Sequence, residues 1–247
     1  MRNQVPHLFL TASLTLPFYT LADTKLIVKN GKLTETIWSD GQHLHVKSEK
    51  KLGYILAMPE KRQLYTVNLM DQQLIDLSNK VENKPKTPKM TELKIEYIHH
   101  GPGPNILGFK TELYFLEVNG EICHTEYLSK SSEPLMALIA GLELMTEYKI
   151  NTSFGSLPKD LELCFVADNL FYKRFSQHGF PLKIEDQFGK ATFEIIDIDL
   201  NASKPFNNYE FPEGFKVLTY NQMMESASNI VSDPDNEMHP DPTNFDN

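Results

Sequence analysis

Short apolar segments separated by tight polar turns fill residues 23–78, and this rhythm constrains the fold more than any other feature. Two of the turns contain Asn30-Gly31 and Asp40-Gly41, residues that tolerate the positive φ angles of two-residue hairpins. The segments between turns, such as LGYILAM and QLYTVNL, are rich in Leu, Ile, Val, Tyr and Thr. The pattern predicts a meander, in which each strand pairs with the next strand in sequence.

The second half of the chain predicts a long hairpin, then helices, then two more strands. Asn119-Gly120 marks the hairpin turn between two alternating arms. After Ser132, which can cap a helix, apolar residues recur every three or four positions. A second helix is predicted within residues 157–179, ended by Gly179 as a left-handed cap, and the last two strands join at Gly189.

The N-terminus predicts export. Arg2 is followed by an apolar stretch from Leu8 to Ala22, with small residues placed for cleavage before Asp23. A buried N-terminal helix is the alternative, but Pro6 and Pro17 argue against it. We therefore expect residues 1–22 to be a signal peptide of a periplasmic protein, with no later apolar run long enough to span a membrane.

Charge and composition indicate one folded domain over residues 23–231 and exclude some partners. The formal net charge of −9 argues against a general nucleic-acid-binding protein, which needs a basic surface. Residues 79–90 are rich in lysine and proline and predict an exposed loop or mobile lid, whose lysines could also meet an acidic partner. Residues 232–247 carry five acids, no Lys or Arg and three prolines, a composition typical of a disordered tail.

Two cysteines, Cys123 and Cys164, lie within apolar segments of a chain expected in an oxidising compartment. A disulfide between them and a pair of buried thiols are both compatible with their spacing. A CxxC motif is missing, which disfavours thioredoxin-type redox chemistry and a cysteine-based zinc site.

Motifs for catalysis or metal binding are absent from the sequence: it has no GxSxG, HExxH, Walker loop or dinucleotide glycine fingerprint. His43 and His45 are the best local pair of metal ligands. The simpler interpretation is that both are polar residues on the solvent face of a half-exposed sheet. His99 and His100 precede a Gly-Pro-Gly-Pro run that predicts a stiff connector between a strand ending near Ile98 and the long hairpin. We expect neither an enzyme nor a cofactor.

Four segments in order resemble a known class of proteins. These are TIWSDGQHLHVKSEKKLGYILAMPEKRQLYTVNLMDQQLIDLS, NILGFKTELYFLEVNGEICHTEYLS, HGFPLKIEDQFG and YEFPEGFKVL, the last with Pro212, Gly214 and Phe215 in register. They resemble uncharacterised periplasmic proteins with a LolA-like fold. The resemblance implies an α+β, mainly β chain: a curved antiparallel meander sheet, an unclosed half-barrel, with helices packed on its concave face. Lipoprotein carriers and lipid-binding envelope proteins use that architecture to shelter acyl chains.

An apolar cavity between sheet and helices is the functional site we expect. Ordinary core is the simpler interpretation of any single residue in it, and only the set of large apolar residues indicates a ligand. The ligand would be hydrophobic, such as a lipid or a lipoprotein acyl chain. The alternative function is an envelope protein–protein interaction module that uses a sheet edge or the tail. The candidate cavity residues are Trp38, Tyr54, Leu56, Tyr65, Val67, Phe109, Leu113 and Phe115.

Overall fold

The strand rhythm of the sequence builds one large sheet. The structure, a computed structural model, describes residues 23–78, 94–153, 162–203 and 209–231. The expected signal peptide (1–22), the lysine-rich loop (79–90) and the acidic tail (232–247) lie outside the described residues.

The first six strands form the predicted meander, with each strand paired antiparallel to the next. A single turn of 3-10 helix, Pro59–Lys61, joins the fourth and fifth strands. The strands are β1 (Asp23–Asn30), β2 (Leu33–Ser39), β3 (Leu44–Ser48), β4 (Gly53–Met58), β5 (Gln63–Asn68) and β6 (Gln73–Asp76).

Six further strands extend the same sheet in both directions. They are β7 (Ile95–Pro102), β8 (Glu112–Val118), β9 (Glu121–Ser129), β10 (Phe180–Asp186), β11 (Ala191–Ala202) and β12 (Lys216–Thr219). The order across the twelve-stranded sheet is β12-β6-β5-β4-β3-β2-β1-β11-β10-β9-β8-β7, so the sheet is unclosed. One pair departs from the expected all-antiparallel sheet, because β12 lies parallel to β6.

The predicted turns differ in how closely the structure follows them. Asn119 and Gly120 form a two-residue turn with φ angles of 54° and 84°, as their sequence predicts. Asp40-Gly41 instead lies in a longer connection between β2 and β3. There the Asp40 carboxylate accepts hydrogen bonds from the backbone N–H groups of Gln42 and His43, which stabilises the extra residues.

Four helices complete the described chain: α1 (Glu133–Ser153), α2 (Glu162–Leu170), α3 (Arg174–His178) and α4 (Tyr220–Val231). Helix α1 begins directly after Ser132, but the buried Ser132 hydroxyl makes no hydrogen bond within the described chain, so it does not cap the helix through its side chain. The predicted second helix is two helices, α2 and α3. Gly179 follows α3 with φ 131° and ψ 170°, an extended conformation of positive φ rather than a left-handed helical cap.

The His-Gly-Pro stretch belongs to a strand rather than to a connector. Strand β7 continues through His99 and His100 to Pro102, with a register shift between His99 and Gly101. Proline is tolerated there because β7 is the last strand of the sheet and needs no donor on its outer edge. The adjacent histidines do point to opposite faces: His99 contacts Tyr114, and His100 contacts Phe115.

The face of the sheet that contacts α1, α2 and α3, here called the helix face, carries the main core. Residues paired across antiparallel strands share a face, and the pairs Leu26–Ile37 and Ile37–Val46 are buried against Leu135, Leu138 and Ile139 of α1. Gly141 lets α1 come close, because a Cβ there would lie 3.1 Å from Leu44. Burial of each such leucine or isoleucine contributes about 1.5–3 kcal/mol.

The opposite face of β4–β6 is covered by the segment that precedes β12. Tyr209 is buried there, and Phe211 meets Tyr65 edge-on at 4.7 Å. The cluster on this face contains Leu56, Met58, Tyr65, Val67, Leu74 and Tyr209, with Tyr54 and Phe215 packed against it.

Candidate functional site

A predominantly apolar cavity of about 420 Å³ lies on the helix face of strands β2–β6. It is here called the apolar cavity. Its volume is within the ~300–1,000 Å³ range of small-molecule sites. Its lining residues are Glu35, Val46, Ser48, Lys51, Leu52, Gly53, Tyr54, Ile55, Thr66, Val67, Asn68, Met70 and Ile75.

Within the described residues, α1 packs against one end of these strands and leaves the cavity at the other. Helix α1 meets Leu44, Ala57 and Leu64, near the 3-10 turn, where Arg62 also forms an ion pair with Glu147 of α1. The cavity lies towards the other end, where β4 begins and β5 ends. Apolar side chains that face α1 at one end of the sheet therefore face an open space at the other.

Two exposed apolar side chains lie at the rim of the apolar cavity. Leu52 and Met70, in the turns before β4 and before β6, are 67% and 72% exposed. Two charged residues of opposite sign, Glu35 and Lys51, also line the cavity. Ser48 is buried in its wall, and its hydroxyl has no hydrogen-bond partner in the described chain. A cavity with this rim can admit a hydrophobic group from solution.

Most of the candidate cavity residues named from the sequence lie on the face of the sheet opposite to the helix face. Side chains alternate along a strand, so a shift by one position moves a residue to the other face. Trp38 pairs with His45, His45 with Leu56, and Leu56 with Tyr65, one position away from the core positions of the helix face. Seven residues lie on the opposite face: Trp38, Tyr54, Leu56, Tyr65, Val67, Leu113 and Phe115.

The remaining candidate, Phe109, packs against the main core beside Ile106. Tyr54 and Val67 border the apolar cavity, although their side chains belong to the cluster on the opposite face. The residues that line the cavity with apolar side chains on the helix face, Val46, Ile55 and Ile75, were not among the candidates. Val46 and Ile55 lie two positions from the core residues Leu44 and Ala57, but this alternation did not identify the face, because the opposite face of β4 and β5 is also apolar.

A buried ionic network lies under α2 and α3. Glu126 of β9 is fully buried, and Arg174 of α3 is 6% exposed. Arg174 donates from Nε and Nη2 to Glu126 Oε1 at 2.9 and 2.6 Å, and from Nη2 to Asp168 Oδ1 at 2.7 Å. The Tyr97 hydroxyl donates to Glu126 Oε2 at 2.8 Å, and His124 Nε2 lies 2.8 Å from Asp168 Oδ2.

The network shifts the pKa values of its members in opposite directions. Burial alone would raise the pKa of Asp168, but the hydrogen bond from His124 and the charge of Arg174 outweigh it and lower that pKa. Burial alone would lower the pKa of His124, but its hydrogen bond to Asp168 raises it. Both shifts favour the charged forms of Asp168 and His124, which suits a pair removed from water.

A disulfide joins Cys123 of β9 to Cys164 of α2, with the two Cα atoms 5.4 Å apart. Cys123 is buried in the small core where Leu116, Val118 and Ala167 meet. The bond fixes α2 to the strand that also carries His124 and Glu126. The disulfide and the ionic network therefore anchor the same helix to the same strand.

A second cavity, of about 490 Å³, opens between β7 and the α2–α3 segment. It is here called the edge cavity. Polar side chains form a larger share of its walls than of the walls of the apolar cavity. Its lining residues are Ile95, Tyr97, Phe171, Lys173, Arg174, Gln177 and His178.

Glu126 and Arg174 were not identified from the sequence. Glu126 shares strand parity with Leu128, a position that alternation assigns to the interior. A carboxylate at an interior position requires a partner. That parity was the available signal, but the identity of the partner, on a helix 48 residues away, depends on the tertiary fold.

The histidines named from the sequence have structural partners. His43 Nδ1 lies 2.9 Å from Asp40 Oδ2, and its ring stacks on Tyr209. His45 is buried against Tyr54, and burial lowers its pKa to about 4. Among the residues that the structure describes, no group of three or more His, Cys, Asp or Glu side chains is arranged to hold a metal ion.

No family model matches this chain, and no curated protein matches it. Within the ranges that the structure describes, none of the helices has the length and apolar character needed to cross a membrane.

Proposed function

We propose that this chain is an exported periplasmic binding protein that shelters a hydrophobic ligand, a lipid or a lipoprotein acyl chain, in the apolar cavity. The observation that carries the proposal is the cavity itself, an open space of about 420 Å³ against Val46, Ile55 and Ile75. Removal of apolar surface from water favours binding by about 25 cal/mol per Å². A ligand with an extended apolar part gains most from such a site.

The fold supports this proposal through its general form. An unclosed sheet with helices on one face is the arrangement that the LolA-like resemblance implies. In the proposal the sheet is a curved half-barrel, its helix face is concave, and the cavity is the part of that face that α1 leaves open. The resemblance guides the choice of ligand class, because fold alone does not define function.

The disulfide supports export. Disulfides form and persist in oxidising compartments such as the bacterial periplasm, and they are rare in the cytosol. The bond between Cys123 and Cys164 fits a chain whose residues 1–22 direct it across the inner membrane.

A cavity-filling substitution tests the binding site. Thr66 is half-buried and lines the apolar cavity, so Thr66→Trp should occupy much of its space. We expect wild-type protein to bind the neutral fluorescent probe N-phenyl-1-naphthylamine saturably and to release it when decanoic acid is added. Thr66→Trp should weaken probe binding at least tenfold.

Thr36→Trp is the matched control. Thr36 is also half-buried and also lies within a strand, but it pairs with Ile27 and Lys47 on the opposite face. This variant should bind the probe as the wild type does. Equal binding by wild type and Thr66→Trp, with both proteins folded by circular dichroism, would place the ligand elsewhere and refute the proposal.

A second candidate function, an envelope interaction module, has one observation in its favour. The outer edge of β7 has no strand partner within the described chain, and residues 98–100 are exposed. A free edge can accept a strand from another protein. However, the bulge at His99–Gly101 and Pro102 are features that protect edges from strand addition. The apolar cavity therefore provides the stronger argument.

A further inference from the structure

The edge cavity combines flat rings with hydrogen-bond donors. Tyr97 stacks on Tyr114 with ring centroids 5.1 Å apart and an interplanar angle of 7°. Phe171 lies 6.5 Å from Tyr97, and the His178 ring lies 5.1 Å from it. A flat apolar group can pack against these rings, because aromatic pairs prefer offset-stacked or edge-on contacts.

The polar side chains that line this cavity can each donate a hydrogen bond to an anion. Lys173, Gln177 and His178 line it, and no Asp or Glu is among the described lining residues. The guanidinium of Arg174 is already engaged with Glu126, Asp168 and backbone carbonyls, so Arg174 contributes charge rather than free donors.

Four carboxylates of the strands and helices around the edge cavity have partners of their own. Glu126 and Asp168 bind Arg174, and Glu112 lies 2.7 Å from His99 Nε2. Glu143 accepts a hydrogen bond from the backbone N–H of Ser176. Lys173, Gln177 and His178 therefore line a cavity that has no carboxylate among its described lining residues, in a chain of net charge −9. The Lys173 ammonium also lies 5.5 Å from the ring centroid of Tyr172, at the edge of this region.

We propose that the edge cavity binds a small anion that carries a flat apolar group, an aromatic carboxylate or an aryl phosphate. The ring of the ligand would lie against Tyr97 and Phe171, and its anionic group would accept hydrogen bonds from Lys173, Gln177 and His178. This site is separate from the proposed hydrophobic site, since five strands lie between β2 and β7 in the sheet order. It does not depend on the proposed function.

The environment of His178 supports a positive local potential. Burial lowers the pKa of His178, and the nearby charges of Lys130 and His99 lower it further, while Glu126 acts against them. An anion bound beside the ring would stabilise the imidazolium and raise that pKa. The ring of His178 is therefore a built-in reporter of occupancy.

Calorimetric and NMR titrations with benzoate and phenyl phosphate test the site directly. We expect saturable one-to-one binding, a shift of the His178 ring proton resonance on titration, and a higher His178 pKa at saturation. Benzyl alcohol, which has the ring without the charge, and inorganic phosphate, which has the charge without the ring, should each bind at least tenfold more weakly than phenyl phosphate.

Two substitutions assign the binding to this cavity. Lys173→Gln should weaken benzoate binding about tenfold, the loss of about 1.4 kcal/mol for one charge-assisted hydrogen bond. Lys190→Gln, at an exposed lysine in the β10–β11 turn, is the matched control and should leave binding unchanged. His178→Phe keeps an aromatic ring in place and should also weaken binding.

Three results would overturn the proposal. The first is the absence of saturable benzoate and phenyl phosphate binding by folded wild-type protein. The second is equal loss of affinity in Lys173→Gln and Lys190→Gln, which would indicate a general charge effect. The third is equal affinity for inorganic phosphate and phenyl phosphate, which would remove the role of the rings.

Discussion

At the scale of single residues, His45 shows how burial changes a titration. Its ring lies 4.3 Å from that of Tyr54, and it is only 7% exposed. Burial lowers the pKa of His45 from 6.5 to about 4, and the charge of Lys47 acts in the same direction. In the unfolded chain this histidine protonates near pH 6.5, whereas in the folded protein it stays neutral until about pH 4.

The stability that His45 contributes is therefore present above pH 6.5 and lost as the pH falls towards 4. At about 1.4 kcal/mol per pKa unit, the loss by pH 4.5 is about 2–3 kcal/mol. We predict that His45→Phe reduces this pH dependence of the free energy of unfolding, measured by urea titration at pH 7.5 and 4.5. The same change at exposed His100 should leave it intact. A wild-type-like pH profile in His45→Phe would contradict this account.

The sequence predicted which segments form strands better than it predicted which face of the sheet each side chain occupies. The alternating strands were recognisable, but the parity of each strand relative to the core was not. A one-position error moved Trp38, Leu56 and Tyr65 from the expected cavity to the opposite face. Local sequence could not correct it, because both faces of β4 and β5 are apolar: one meets α1, and the other meets Tyr209.

At the scale of elements, α2 and α3 are fixed to β9 by two independent links. The disulfide closes a separation of 41 residues, for which loop entropy predicts about 4 kcal/mol of stabilisation. The ion pair of Arg174 with Glu126 is the second link, and it is buried. A buried pair adds little net stability compared with apolar residues, but removal of one partner leaves a charge without compensation.

We predict that Arg174→Met lowers the free energy of unfolding by about 3–5 kcal/mol, because Glu126 is left buried and unpaired. The double variant Glu126→Gln with Arg174→Met should recover part of that loss. Arg62→Met, which breaks the exposed pair with Glu147, is the matched control and should cost at most about 1 kcal/mol. Urea unfolding gives all three values, and equal losses in Arg174→Met and Arg62→Met would contradict the structural role of the buried pair.

The sequence predicted the presence of helices and hairpins better than the residues at which they begin and end. The Asn119-Gly120 turn and the start of α1 after Ser132 are where the sequence places them. The division of the second helix into α2 and α3 was missed, as was the extension of β7 through His99 to Pro102. Both depend on tertiary partners: Arg174 turns inward to Glu126, and β8 supplies the pairing for β7.

At the scale of the whole molecule, strand order was only partly predictable. The meander of β1–β6 pairs neighbours in sequence, so turn signals suffice to predict it. The pairing of β1 with β11 and the parallel pairing of β12 with β6 join distant parts of the chain. These contacts close long loops, and no local pattern specifies them.

The long-range packing of α1 on the sheet also creates the apolar cavity. The apolar cavity exists because α1, which follows β9, returns to cover one end of β3–β5 and leaves the other open. The position of α1 over one end of the strands cannot be predicted from the strands alone or from the helix alone. The apolar residues at the open end, with Leu52 and Met70 exposed at the rim, are the consequence on which the proposed function rests.

Native mass spectrometry of protein purified without detergent is the most direct test of that function. We predict that the wild-type chain retains one hydrophobic molecule, released on denaturation and identified in the organic extract, and that Thr36→Trp retains it too. Thr66→Trp, whose substituted side chain fills the apolar cavity, should have the mass of the chain alone. The central claim would be contradicted if the wild type showed only the mass of the chain. It would also be contradicted if Thr66→Trp retained the same molecule as the wild type.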